Sequence, residues 1–165
     1  MAPPPAPDGI WHWEDINSGD MFELGKSEMT KDELLAFART YDPQPHHVSE
    51  EAAKQSMFGQ LFSSGWHSCV ILMRQMADNL LNKSASLGAA GIEEVRFMKP
   101  VFVGDELFGK ATCKGKRALN SKPDVGTVHL LMELSNQRGE AVLAWECHQF
   151  LRRRHPATPA AGGGA

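Results

Sequence analysis

Near Gly88 the spacing of apolar residues changes from a helical to an extended period, and that switch limits the folds open to this chain of 165 residues. Before it, Trp66, Val70, Met73, Ala77, Leu80 and Leu81 recur at helical spacing, with Ile71, Leu72 and Met76 widening the stripe. Beyond it, Val128, Leu130, Met132 and Leu134 alternate with Thr127, His129, Leu131 and Glu133, which is strand periodicity. Similar runs occupy 92–99, 106–117 and 141–151, separated by Pro100 and Gly104-Asp105, by a Lys/Asn/Pro-rich loop, and by Asn136-Gln137-Arg138-Gly139. Short connections make consecutive strands antiparallel neighbours, so the second half reads as a meander. With one early strand near 21–24 and helices before the meander, the fold class is α+β.

Three helices are expected in the first half. Thr30-Lys31-Asp32-Glu33 matches a capping box and opens a helix that runs to about Thr40. Ser49-Glu50-Glu51 starts a short second one through about Gln55, and Ser64-Gly65 starts the apolar third, whose composition marks it as central. The Pro-rich start, 1–9, and the Ala/Gly/Pro-rich end, 155–165, read as unstructured tails around one folded body over 10–154.

Between the first two helices lies Asp42-Pro43-Gln44-Pro45-His46-His47. Each proline fixes its own φ and pushes the residue before it, Asp42 or Gln44, toward extended backbone, so the segment is expected to be non-helical. Five extended residues would span about 16 Å, so the loop must bend if Asp42 and His47 are to share one water. A rigid bend carrying a carboxylate and an imidazole suits proton transfer, because one group takes a proton while the other gives one. A helix stop bearing solvated polar residues is the competing reading.

Composition excludes several classes. A net charge of −3 gives no reason to expect nucleic acid, and no apolar run approaches a membrane span. Cys69, Cys113 and Cys147 are odd in number and lack C-x-x-C spacing, which argues for reduced thiols, a cytoplasmic location and no zinc or disulfide framework.

Three stretches together resemble one family. Asp42 to His47 resembles the motif D-x-[NQ]-P-x-H; Phe58-Gly59 followed by Ser64-Gly65-Trp66-His67 is similar to the segment opening the family's central helix; and Lys99-Pro100-Val101-Phe102-Val103-Gly104-Asp105 resembles its K-P-V-x-x-G-D turn. Order and spacing agree, over about 20–152, with the MaoC-like (R)-specific enoyl-CoA hydratases or dehydratases of the hot-dog superfamily. The resemblance implies a single hot-dog fold, a long helix wrapped by a curved antiparallel sheet, in a homodimer or higher homo-oligomer with an acyl tunnel near the interface. It implies a 2-enoyl-CoA substrate hydrated to the (R)-3-hydroxyacyl thioester, or the reverse. It also implies no metal or redox cofactor, coenzyme A entering as part of the substrate.

Adding water to carbon 3 needs a base for the water, an acid for carbon 2, and a donor to the thioester oxygen. Asp42 and His47 meet the first two needs as a unit, with the formal base left open. Gly65, at a helix start, offers an N–H without an intrahelical acceptor and no side chain in the way; simple helix entry is its other reading. Met57, Phe58 and Trp66 are expected to shape the acyl site, with His67 at its mouth, Gln44 orienting the loop and Ser64 capping the helix. His46 reads as a surface residue. Lys110, Lys114, Lys116, Lys122 and Arg117 suit either coenzyme A phosphates or a charged sheet edge. Arg152, Arg153 and Arg154 mark a strand leaving the fold. Two alternatives remain: a thioesterase, which would want a carboxylate on the central helix where only Asp78 is available, and a non-catalytic hot-dog subunit binding acyl thioesters.

Overall fold

In the computed structural model the described residues are 3, 5, 6 and 8–156. Most of the two expected tails lies outside them. Asp8 lies within them, and its carboxylate pairs with Arg154 at 2.7 Å. Arg154 also reaches Asp15 at 2.7 Å, and its backbone N–H donates to Glu14. The arginine run therefore ties the end of the last strand to the N-terminal segment instead of leaving the fold.

The strands are β1 (Met21–Glu28), β2 (Ser86–Phe97), β3 (Glu106–Ala118), β4 (Val125–Asn136) and β5 (Ala141–Arg152). They form one antiparallel sheet in the order β1-β3-β4-β5-β2. Here the expected meander needs correction. β3, β4 and β5 follow one another, but β2 pairs with β5 at one edge and β1 with β3 at the other, so the short link from β2 to β3 joins strands that are not neighbours. Local alternation fixes which residues share a face, and the crossover is decided by what must cover the helix.

The helices are α1 (Lys31–Tyr41), α2 (Pro45–Val48), α3 (Glu50–Lys54) and α4 (Gly65–Asn79). Thr30 Oγ1 accepts from the Glu33 N–H and donates to its carboxylate, Ser49 Oγ accepts from Ala52, and Ser64 Oγ accepts from Trp66, so three expected N-caps form. α2 is the departure. Pro45 occupies its first position, where its missing N–H costs nothing and its fixed φ suits a helix. His47 therefore stands on a helical turn and not in an extended loop.

α4 lies against one face of the sheet, burying Leu72 and Met76 on Leu107, Leu130, Met132, Leu134 and Trp145. Full burial of each such side chain contributes about 1.5 to 3 kcal/mol. Gly109 on β3 permits the close approach: a Cβ there would stand 2.1 Å from Gln75 Oε1 and 3.1 Å from Leu72 Cδ1. Gln75 uses the contact, its buried Nε2 donating to Ser27 Oγ at 2.9 Å and the Leu107 carbonyl oxygen at 3.0 Å. The stripe expected to be most buried is turned differently. Trp66 and Val70 are 59% and 54% exposed, Trp66 stands edge-on to Phe97 of β2, and Met73 is exposed beside Ile92 of the same strand, an apolar face spanning helix and edge strand.

Of the basic residues on β3, Lys110 pairs with Glu133 at 3.1 Å within the sheet, and Lys116 donates to the carbonyl oxygens of Trp13 and Glu14 while lying over the Trp13 ring. These two are structural ties, not guards of a bare edge. Cys113 and Cys147 are buried and Cys69 half-buried, all as thiols, and burial pushes Cys69 and Cys147 up to about 11. Among the described residues no helix is long and apolar enough to cross a membrane.

Candidate active site

The bend that the two prolines demand is made by a tight hydrogen-bonded turn. α1 ends at Tyr41, the Asp42 N–H still bonds the Ala38 carbonyl oxygen, and the Gln44 N–H then turns back onto the Asp42 carbonyl oxygen at 2.8 Å. Pro45 starts α2 immediately, which carries His47 back over Asp42. The result is a separation of 3.5 Å between Asp42 Oδ2 and His47 Nε2.

Both groups are held from behind. His47 is buried, and its Nδ1 donates to the Phe62 carbonyl oxygen at 2.9 Å, which assigns the proton of the neutral ring to Nδ1 and leaves the Nε2 lone pair facing Asp42. Its ring stands edge-on to Phe62 and His46, and His46 itself stacks on Phe62, so His46 is partly buried packing and not a free surface residue. Asp42 accepts a 2.6 Å hydrogen bond from Ser64 Oγ at Oδ2 and a 2.8 Å bond from Gln44 Nε2 at Oδ1. The Ser64 hydroxyl above all, together with the Gln44 amide and against some desolvation, holds the Asp42 carboxyl below its ordinary range. Ser64 thus does two things. It caps α4 through the Trp66 N–H and orients the carboxylate, and only the first role is visible in a capping pattern.

Asp42 and His47 open onto a cavity of about 500 Å³ walled by Met57, Phe58, Phe62, Gly65, Trp66, Ser68, Phe97 and Val142, with Gln44 and Lys99 at polar positions. Of the residues expected to shape the site, Met57, Phe58 and Trp66 line it, and so does Gln44. His67 does not. It is buried on the other side of α4, stacked at 4.5 Å on Phe37, with Nδ1 3.1 Å from Ser63 Oγ, and burial pulls its pKa down. The helical rotation of one residue from Trp66 points it into the α1 contact.

Gly65 begins α4 in the cavity wall, and a Cβ at that position would stand 2.6 Å from Phe97 Cε1. The absence of a side chain is therefore a packing requirement as well as an opening toward the backbone N–H. Ser68, Phe62, Phe97, Met98 and Val142 were not singled out by pattern. Ser68 lies one turn past Ser64 on the same helix face, which spacing alone contained; Phe97 and Val142 arrive from strands distant in sequence.

Chemically, this is an ionised carboxylate and an imidazole converging on one point at the rim of an apolar cavity, next to a helix N-terminus. Such a set can hold a water, move its protons, and favour negative charge on a nearby oxygen.

Comparison with known proteins agrees with this architecture. The family model described as MaoC like domain matches residues 19–133. An uncharacterised protein of Bacillus subtilis, YdeM, is 24% identical over 140 residues, covering 85% of this chain and 98% of that one. A mesaconyl-CoA hydratase of Cereibacter sphaeroides is 37% identical over 91 residues, but these span 55% of this chain and only 25% of that protein. Among solved structures, the MaoC-like dehydratase of Rhodospirillum rubrum superposes with a TM-score of 0.80 at 35% identity, covering 87% of this chain and 98% of that one. The unliganded (R)-hydratase PhaJ1 of Pseudomonas aeruginosa shares the fold, with a TM-score of 0.69 at 20% identity over 94% of this chain and 97% of that one. The sheet wrapped on α4, the matched span and the full-length likeness to the R. rubrum structure make this chain a member of the MaoC-like family of hot-dog proteins.

Proposed function

We propose that this protein catalyses reversible syn hydration of a 2-enoyl-CoA thioester to the (R)-3-hydroxyacyl thioester. The observation that carries the reading is the 3.5 Å approach of Asp42 Oδ2 to His47 Nε2 at the rim of the apolar cavity. One water bound between them donates to the ionised carboxylate or the Nε2 lone pair. Its oxygen bonds to carbon 3 as one of its protons passes to the pair, and the carbon–carbon π electrons move toward the thioester carbonyl. The Gly65 N–H donates to the resulting enolate oxygen, aided by the partial positive charge at the start of α4. Collapse of the enolate takes the proton from the pair to carbon 2, which restores Asp42 and His47. Oxygen and proton arrive from one side, hence syn addition.

The acyl chain runs along Trp66, Phe58 and Phe97, with Met57 at the opening. A second copy of the chain covers the exposed face of Trp66, Val70, Met73 and Ile92 and completes the tunnel, which makes a homodimer the working unit. A thioesterase is disfavoured by α4 itself, whose one carboxylate, Asp78, points outward and pairs with Arg74 at 2.6 Å.

The test is to incubate purified protein with a short 2-enoyl-CoA and follow the conjugated thioester absorbance and free thiol separately. Hydration lowers the first and leaves the second unchanged. Thiol release at the rate of absorbance loss makes the protein a thioesterase, and no change in either signal makes it a binding subunit.

A further inference from the structure

Opposite the face that packs on α4, the sheet carries a group of side chains that hydration does not use. His129 on β4 and His148 on β5 are direct cross-strand partners, and Glu146 on β5 is the direct partner of Glu93 on β2. Cross-strand partners share a face at about 4.5 to 5.5 Å between Cβ atoms, so two imidazoles and two carboxylates gather in one small area. The imidazoles stack with centroids 4.5 Å apart. His129 Nε2 lies 2.5 Å from Glu146 Oε2 and His148 Nε2 lies 3.4 Å from Glu93 Oε1. One ligand atom each from Glu93, His129 and His148 falls within a sphere of mutual distances no greater than 4.8 Å.

We propose that His129, His148 and Glu93 form a binding site for a divalent transition ion of the zinc type, with Glu146 as the fourth ligand. Zinc bonds of about 2.0 to 2.2 Å in a tetrahedron require donor atoms about 3.3 to 3.5 Å apart. The His148–Glu93 spacing of 3.4 Å meets that now. The ion enters between His129 and Glu146 by widening their contact, and the exposed Glu93 side chain supplies the remaining adjustment. Two imidazoles with carboxylates select zinc, cobalt or nickel over magnesium and calcium, which prefer all-oxygen shells. Charge points the same way. Two carboxylates placed directly opposite each other repel, and a dication bound between them relieves that repulsion. Of the basic neighbours, Lys116 is bonded to the backbone of Trp13 and Glu14, while Arg117 is exposed and borders the same pocket as the two histidines.

Such an ion joins β2, β4 and β5. It would pin edge strand β2, whose pairing with β5 is interrupted by three register shifts and which contains Glu94, the one non-glycine residue with positive φ among those described. The role is structural, on the side of the sheet away from Asp42 and His47.

The test is titration of the full chain, stripped with chelator, by Co²⁺ and by Zn²⁺, read by cobalt visible absorbance, calorimetry and melting temperature. The expected result is one equivalent bound, with the intense absorbance of four-coordinate cobalt and a raised melting temperature. His129→Ala and His148→Ala should each weaken binding about a hundredfold or more, and Glu93→Gln about tenfold, with circular dichroism of the metal-free protein and enoyl-CoA hydration unchanged. His129→Gln, which keeps a polar cross-strand partner, serves if the alanine variant does not fold. Absence of binding, binding that persists when both histidines are replaced, or binding lost only when His46 and His47 are replaced would overturn the site.

Discussion

The hydroxyl of Ser64 donates to Asp42 Oδ2 at 2.6 Å, joining the first residue of the central helix's cap to the carboxylate that ends α1. Removing it should separate two effects. Ser64→Ala loses an N-cap, at a cost of about 0.5 to 2 kcal/mol, and lets the Asp42 pKa rise toward its ordinary value. A depressed carboxylate pKa contributes stability that is present above the unfolded-state value, about 3.9, and lost as pH falls through the folded value. The deficit of Ser64→Ala in urea unfolding should therefore be largest near neutral pH and shrink in acid to what the cap alone contributes. The acid limb of the hydration profile should move to higher pH.

Asp42→Asn should lower hydration by about 10² to 10⁴ with little change in melting temperature, because the amide can keep the Ser64 and Gln44 contacts in reoriented form. His47 differs, being buried against Phe62 and His46, so His47→Ala should cost stability as well as activity. His47→Gln is the better probe: a similar loss in kcat with most of the melting temperature retained. Steady-state kinetics beside thermal melts separates the two.

Gly65→Ala places a methyl 2.6 Å from the Phe97 ring, so the ring must move or the helix start must shift. If the Gly65 N–H serves the thioester oxygen, displacement should cost about 3 to 4 kcal/mol of transition-state stabilisation, read as a fall in kcat of roughly 10² to 10³. Adding Phe97→Ala should restore much of it by vacating the contested space. A double variant no faster than the single would place the defect elsewhere.

Gly109→Ala tests the seat of α4 away from the site. Its methyl would meet Gln75 Oε1 at 2.1 Å and Leu24 Cβ at 3.2 Å, so a loss of about 1 to 3 kcal/mol is expected in chemical denaturation. Val70→Glu, on the exposed apolar face, should leave the fold stable and shift sedimentation toward monomer, with loss of hydration if the tunnel requires two copies.

Much of this was legible in the residues. Alternation along β4 and β5 gave both strands and their faces, and Ser64 and Ser49 marked helix starts to the residue. Other features were not, for identifiable reasons. Pro45 reads as a breaker in the sequence, although a proline at a first helical position is a starter, and this hides α2 under His47. The outward turn of Trp66, Val70 and Met73 was invisible because an apolar stripe does not say whether a chain's own sheet or another copy covers it. The cavity wall from Phe97 and Val142 depends on β2 crossing to the far edge beside β5, a pairing between residues more than forty apart in sequence for which local pattern carries no signal.

The pairing of Asp42 with His47 around one water is tested most directly by running the hydration of a short 2-enoyl-CoA in heavy water and determining the configuration at carbons 2 and 3 by NMR. Deuterium and hydroxyl delivered to the same face, with an (R) centre at carbon 3 and turnover by Asp42→Asn reduced by about 10² to 10⁴, is the predicted result. Opposite-face or scrambled delivery, or undiminished turnover by Asp42→Asn, would contradict it.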